Sequence, residues 1–335
     1  MPRERVTLRN PGRRARAMPS LTLPDALEYV ISVKKAENLR ERTLRDYRTY
    51  FTAFIEWMAE RYPDVKTADE VSAEHIRHYA EYLRYEKQNG QAGGVGLSPY
   101  TVNVRLRIIK AVFNALRREG AVSRDPARAV KLLRTEEKRI ETLTDDELRA
   151  LLNAPDKRLY AQFRDLVAIY IMLDTGIRSK EIFALELEDV NISSHCIVLP
   201  ANKSKNRRVR VLPLSPPTVR LVMELIAENR AAFPGARWLF LNDKGERYRE
   251  SGFRKRLQMY RERAGITKPV SPHLLRKHFL ITYLRNGGDL FSAQRILGHA
   301  DLSTTRRYWD ASTEEIKERH AMFSPIGRLT RRKRP

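Results

Sequence analysis

Leu297-Gly298-His299-Ala300-Asp301-Leu302-Ser303-Thr304-Thr305-Arg306-Arg307-Tyr308 is the stretch that decides how the rest of the chain reads. It sets a tyrosine nine positions after a histidine that itself follows Leu-Gly. Two earlier runs precede it, Thr175-Gly176-Ile177-Arg178-Ser179-Lys180-Glu181 and His273-Leu274-Leu275-Arg276. Each is ambiguous alone. A tyrosine such as Tyr308 on an apolar-flanked helix usually packs. Arg178 near a helix start is usually a solvated arginine. His273 can simply cap the helix it opens, and His299 after a glycine can be an ordinary turn residue. His-x-x-Arg on its own has many chance matches. The order and spacing of the set carry more than any member.

Composition sets the frame. The chain has 335 residues, which implies two domains or one domain with a large arm. Hydrophobic residues make up 42%, enough for real cores. The formal net charge is +23, more than solubility needs, and points to a polyanionic partner. Nucleic acid is the first candidate and an anionic membrane surface the second. No run approaches the ~18 apolar residues that span a bilayer. The arginine-rich start lacks the apolar core of a secretory signal, and Pro11-Gly12 interrupts an amphipathic presequence helix. Cys196 is the only cysteine, so it forms no internal disulfide and supplies no multi-cysteine zinc site; a reducing cytoplasm fits.

Outward from the quoted runs, periodicity predicts a helical region followed by a mixed one. A helix near Asp25 to Ala36 comes first. Thr43 is placed to cap a helix with apolar Leu44, Tyr47, Phe51, Phe54, Ile55 and Met58 at three-and-four spacing. Ser72 caps the next, with Ile76, Tyr79, Ala80 and Leu83 inward. Ser98-Pro99 opens a long helix with a stripe of Val102, Leu106, Ile109, Phe113 and Leu116, and Gly120 stops it. Thr144 and Glu147 form a capping box, and a helix through Phe163, Leu166, Val167 and Tyr170 runs to Thr175-Gly176. Strands are expected at Cys196 to Leu199 and Val209 to Leu212, joined by basic Asn202 to Arg208, with Trp238 to Leu241 a candidate further strand. The rest reads as helical to about Met322. The expected divisions are a basic flexible arm at 1–20, a helical domain at 21–126, a linker at 127–143, a second domain at 144–325 and a basic tail at 326–335.

With Thr-Gly-Ile-Arg-x-x-Glu, His-x-x-Arg about a hundred residues on, and Leu-Gly-His with its tyrosine, the sequence resembles the tyrosine recombinase family, the phage integrases and Xer-type enzymes. The resemblance covers most of the chain. It implies a mostly α fold with a small β-sheet, in which a helical core-binding domain and an α+β catalytic domain form a C-shaped clamp on DNA. It implies a site-specific recombinase that cuts and rejoins DNA through a 3′-phosphotyrosyl intermediate, integrating, excising or resolving it without metal, ATP or cofactor. Tyr308 matches the nucleophile, Arg178 and Arg276 the arginine pair, and Glu181 the acidic residue that supports Arg178, orienting it or His273. His273 matches a base or hydrogen-bond partner, and His299 a donor to the phosphate. Of the hairpin lysines, Lys203 is the expected proton donor to the leaving 5′-oxygen, with Lys205 the alternative because hairpin length varies.

The chemistry is coherent with those residue types. Attack on a phosphodiester adds charge to its non-bridging oxygens, and two arginines can clamp those oxygens through bidentate bonds. The chain offers no convincing Asp/Glu cluster for magnesium and no Cys/His set for zinc. The implied partners are double-stranded DNA, a homotetramer on DNA formed from free monomers or dimers, and an excisionase or partner recombinase. No membrane is implied, and the expected place is the cytoplasm, at the nucleoid. A short amphipathic helix between Thr313 and Met322 is expected to dock on a neighbouring protomer, with ordinary packing in its own protomer as the competitor. The rivals are a type IB topoisomerase or telomere-resolvase-like enzyme, and a DNA-binding protein without catalysis.

Overall fold

The structure is a computed structural model that describes residues 20–90, 94–136, 142–298 and 320. The basic arm, the tail and nearly all of the expected helix at 313–322 lie outside the described residues. The chain divides into two compact units, Met1–Lys138 and Arg139–Pro335.

The first unit is helical: α1 (Leu23–Ala36), α2 (Glu41–Arg61), α3 (Ala73–Tyr85) and α4 (Pro99–Arg118). Side-chain caps satisfy the backbone donors that a helix start leaves orphaned. Thr22 accepts from the Asp25 N–H, Ser72 from His75 and Ser98 from Thr101, at 3.3, 3.3 and 3.2 Å. The inward stripes meet in one core in which Phe51, Phe54, Tyr79 and Phe113 are buried. One start differs from the expectation: α2 begins at Glu41 after Arg40, whose side chain makes no capping bond, and Thr43 lies inside the first turn. Apolar packing accounts for this. Leu39 and Leu44 flank the helix start and both join the core, the spacing of a hydrophobic staple.

The stretch expected to begin the linker is tied to this unit. The Asn103 side chain donates to the Leu133 carbonyl at 2.9 Å and accepts its N–H at 2.8 Å. Lys110 Nζ donates to the carbonyls of Ala127 and Val130, and both residues are buried in the same core.

The second unit opens with α5 (Asp145–Asn153), capped by the Thr144–Glu147 box, then α6 (Tyr160–Thr175) and the single turn α7 (Ser179–Ile182). A 3-10 helix at Leu187–Asp189 leads into β1 (Val190–Asn191), β2 (Cys196–Leu199) and β3 (Arg210–Pro213). Among the described residues these form an antiparallel sheet in the order β1-β2-β3, with Cys196 opposite Pro213 and Leu199 opposite Arg210. Then come α8 (Pro216–Ala232), α9 (Glu250–Arg263), α10 (Pro272–Arg285) and α11 (Leu290–Leu297). The candidate strand at 238–241 is not a sheet strand. Trp238 and Leu241 make only isolated bridges, to Glu186 and Arg247, although Leu239, Phe240 and Leu241 are buried. Burial accounts for the apolar run without a ladder.

A hydrophobic core runs between α6, the sheet, α8, α9 and α10, and a smaller cluster of Phe279, Leu280, Leu284, Ala293 and Leu297 joins α10 to α11. Asp165, buried on α6, accepts from Tyr260 at 2.8 Å and pairs with Arg164 and Arg256, tying α9 to α6. A buried carboxylate needs such partners. Among the described residues no helix is long and apolar enough to cross a membrane.

Candidate active site

The site is built where α6 ends, α7 begins, the hairpin turns and α11 stops. Gly176 terminates α6 in a left-handed conformation, φ 61°. A Cβ there would sit 2.5 Å from Leu297 Cδ2 and 2.6 Å from Phe279 Cδ1, so the glycine lets α6 end against α10 and α11. Two residues on, Arg178 caps α7, and Glu181 lies at its third position. The Glu181 carboxylate accepts from the Arg178 N–H at 3.2 Å and from Arg178 Nη1 at 3.0 Å. The Thr-Gly-Ile-Arg-x-x-Glu spacing therefore forms one capping unit that fixes the arginine.

Glu181 is 2% exposed and binds two further groups, which makes it the hub. The backbone N–H of Lys205 donates to Oε1 at 3.1 Å. Arg210 Nη2 pairs with Oε2. Burial acts to raise the carboxyl pKa, but the charges of Arg210 and Arg178 and the N–H groups of Lys205 and Arg178 outweigh it, and the net shift is downward. Arg210 is itself 5% exposed. Burial lowers its pKa and Glu181 opposes that. Its Nη1 donates to the carbonyls of Ile296 at 3.0 Å and Leu297 at 2.6 Å.

Other donors converge on the same helix end. Arg276, buried on α10, donates to the Leu297 carbonyl at 2.8 Å and to Gly176 O at 2.5 Å. The Gly298 carbonyl accepts from Arg178 Nη2 at 3.4 Å and from the Asn206 amide. Gly298 closes α11 at φ 64°, and a Cβ there would lie 2.6 Å from Arg210 Cδ. His273 stands one turn before Arg276 on the exposed start of α10, capped by Ser271. Its pKa is lowered by desolvation and by the charges of Lys277 and Arg276. Because the residue is exposed, the two cations are the firmer cause.

Of the expected site residues, Arg178, Glu181 and Arg276 are thus joined through shared partners, with His273 on the helix of Arg276. His299 and Tyr308 lie outside the described residues; His299 is the next residue after Gly298. Lys203 is placed elsewhere. Its ammonium is bound by Asp189 at 2.6 Å and Glu186 at 3.2 Å. Its charge is paired with two carboxylates rather than turned toward the helix end that gathers the arginines. Lys205 instead has an exposed side chain rooted in a backbone bonded to Glu181. Arg210 was not anticipated. The signal was present: in a strand of period two, Arg210 shares the inward face with Leu212, and an inward arginine demands a buried acid. Among the described residues no His, Cys, Asp and Glu side chains gather as a metal-binding group of three or more.

Comparison with known proteins adds the following. The model of the phage integrase family matches residues 141–315, and that of the phage integrase N-terminal SAM-like domain matches 27–119. A tyrosine recombinase XerD from Ralstonia nicotianae is 29% identical over 294 residues, covering 87% of this chain and 91% of its own length. The Tn1549 transposon integrase, solved in complex with a circular intermediate DNA, superposes with a TM-score of 0.71 at 19% identity, over 91% of this chain and all of that one. A lambda integrase tetramer bound to a Holliday junction superposes with a TM-score of 0.65 at 16% identity, over 88% of this chain and 79% of that one.

Proposed function

The chain belongs to the phage integrase family, and on that premise we propose how its residues perform the reaction. It is a site-specific tyrosine recombinase, an enzyme that cleaves and rejoins DNA; the matches are to recombinases and integrases, which does not favour the topoisomerase, resolvase or inactive readings. The observation that carries the mechanism is the Glu181 hub, which sets Arg178 beside the helix end where Arg276 also binds.

Tyr308 Oη attacks the phosphorus, forming the phosphotyrosyl bond and giving up its proton to His273 or water. The bond to O5′ breaks, and the departing oxygen takes a proton from the Lys205 ammonium to become a hydroxyl. Arg178 and Arg276 bind the non-bridging oxygens as their charge grows, which is commonly the largest part of such catalysis. His299 donates to the same oxygens. Glu181 and Arg210 do not meet the substrate; they hold Arg178 and the hairpin. Rejoining is the same step reversed, with a new 5′-hydroxyl as nucleophile.

DNA is the partner, and oligomers form on it. The assembly is a tetramer pairing two duplexes, working in the cytoplasm at the nucleoid, with an excisionase or partner recombinase setting direction. The test is Tyr308→Phe on a nicked suicide substrate. It should bind DNA as the parent does and give no covalent adduct; an adduct at the parental rate removes Tyr308 from the mechanism.

A further inference from the structure

The turn between β2 and β3 is gripped by charge two residues before Lys205. Lys203 Nζ is paired with Asp189 and Glu186, its side chain is 13% exposed, and the two carboxylates are 6% and 3% exposed. Both acids are set by local structure. Asp189 Oδ2 also accepts the Glu186 N–H at 2.8 Å, closing the 3-10 helix before β1, and Glu186 Oε1 pairs with Arg237 at 3.0 Å. The turn is folded on itself as well. The N–H groups of Lys203 and Ser204 both reach the Pro200 carbonyl at 3.1 Å, and Arg207 N–H reaches Ser204 O at 3.2 Å. On the other side of Lys203, the Lys205 N–H is bonded to Glu181.

Two residues of chain span about 7 Å at most, so an ammonium pinned at Asp189 limits how far the start of Lys205 can stray. The segment Asn202 to Arg208 is otherwise polar and basic, with the composition of a solvated loop. Without the pin it would have to be ordered at the moment of reaction. We propose that Lys203 is a positioning residue: its ion pairs with Asp189 and Glu186 hold the hairpin turn so that Lys205 meets the departing 5′-oxygen. This rests on the reading of Lys205 as the proton donor given above. It also assigns Asp189 and Glu186 a part in the reaction without contact with DNA.

The test compares ordinary DNA with DNA carrying a 5′-bridging phosphorothiolate at the cleaved bond, using the full chain. Sulfur departs as a thiolate and needs no proton, so it bypasses the donor alone. Loss of a proton donor costs about 100- to 10,000-fold in rate. Lys203→Met and Asp189→Asn should each cleave ordinary DNA at least about tenfold more slowly. Both should regain near-parental rates on the sulfur substrate, which also shows that they are folded. Lys203→Arg, which can still hold the carboxylates, should keep most of the ordinary rate. Lys205→Ala should show the deepest loss and the same rescue. Loss in Lys203→Met that sulfur does not restore, or no loss, overturns the positioning role. If Asp189→Asn cleaves normally while Lys203→Met is rescued, Lys203 is itself the donor and the proposal fails. If Lys205→Ala is not rescued, the fault lies in the reading of Lys205.

Discussion

At the scale of single residues, Arg210 ties the candidate site together from a buried position. Its guanidinium joins Glu181 to the carbonyls of Ile296 and Leu297, so β3 and α11 are held by one side chain. Arg210→Met leaves those carbonyls without this donor and Glu181 with one fewer cation. Breaking a buried pair from one side costs about 3 kcal/mol or more. The expected result is a urea midpoint lowered by that free energy divided by an unchanged slope, together with loss of cleavage. Arg210→Lys should recover little, because an ammonium cannot reproduce the planar fork that serves a carboxylate and two carbonyls. A variant within about 0.5 kcal/mol of the parent, the range of ordinary surface changes, would show that the network is dispensable.

At the scale of elements, the glycine that ends α11 is the sharpest place to test the packing. Gly298→Ala places a side chain at positive φ, a strain of order 1–3 kcal/mol, and drives Cβ into the tethered Arg210. Thermal unfolding should fall accordingly and adduct formation should fall further; an alanine variant with parental stability contradicts this account of the close approach. Much of the element map was legible because local signals agreed with tertiary demands. Ser98-Pro99 opened α4, the Thr144–Glu147 box opened α5, and the strands at 196–199 and near 210–213 were visible from composition. The start of α2 was not, because core packing by Leu39 and Leu44 outweighs the better cap at Thr43. The run at 238–241 misled for the same kind of reason, since burial without pairing looks like a buried strand. In the candidate site, the pairing of Arg178 with Glu181 was legible from their i, i+3 spacing at a helix start. The surroundings of the two hairpin lysines were not: the folded turn pairs the Lys203 ammonium with Glu186 and Asp189 and the Lys205 backbone N–H with Glu181, and neither Glu186 nor Asp189 carries a signal of this in the sequence.

At the scale of the molecule, charge governs encounter with DNA. A chain of net charge +23 should bind duplex DNA with a steep salt dependence. If it neutralises about six phosphates, affinity should drop about 1000-fold between roughly 50 and 200 mM salt. Titrations of Tyr308→Phe protein, expected to bind without cutting, would measure the slope, and a flat response would contradict an electrostatic interface. That long-range attraction does not discriminate between a resting phosphodiester and one under attack. The Glu181 hub can. Among the described residues, the guanidinium charges of Arg178, Arg210 and Arg276 stand against the single carboxylate of Glu181, leaving a surplus of two. A phosphodiester brings one negative charge, and attack by a phenolate brings a second. On the proposed mechanism this surplus gains more from a phosphate under attack than from a resting one, so the network's own electrostatic imbalance favours passage over residence.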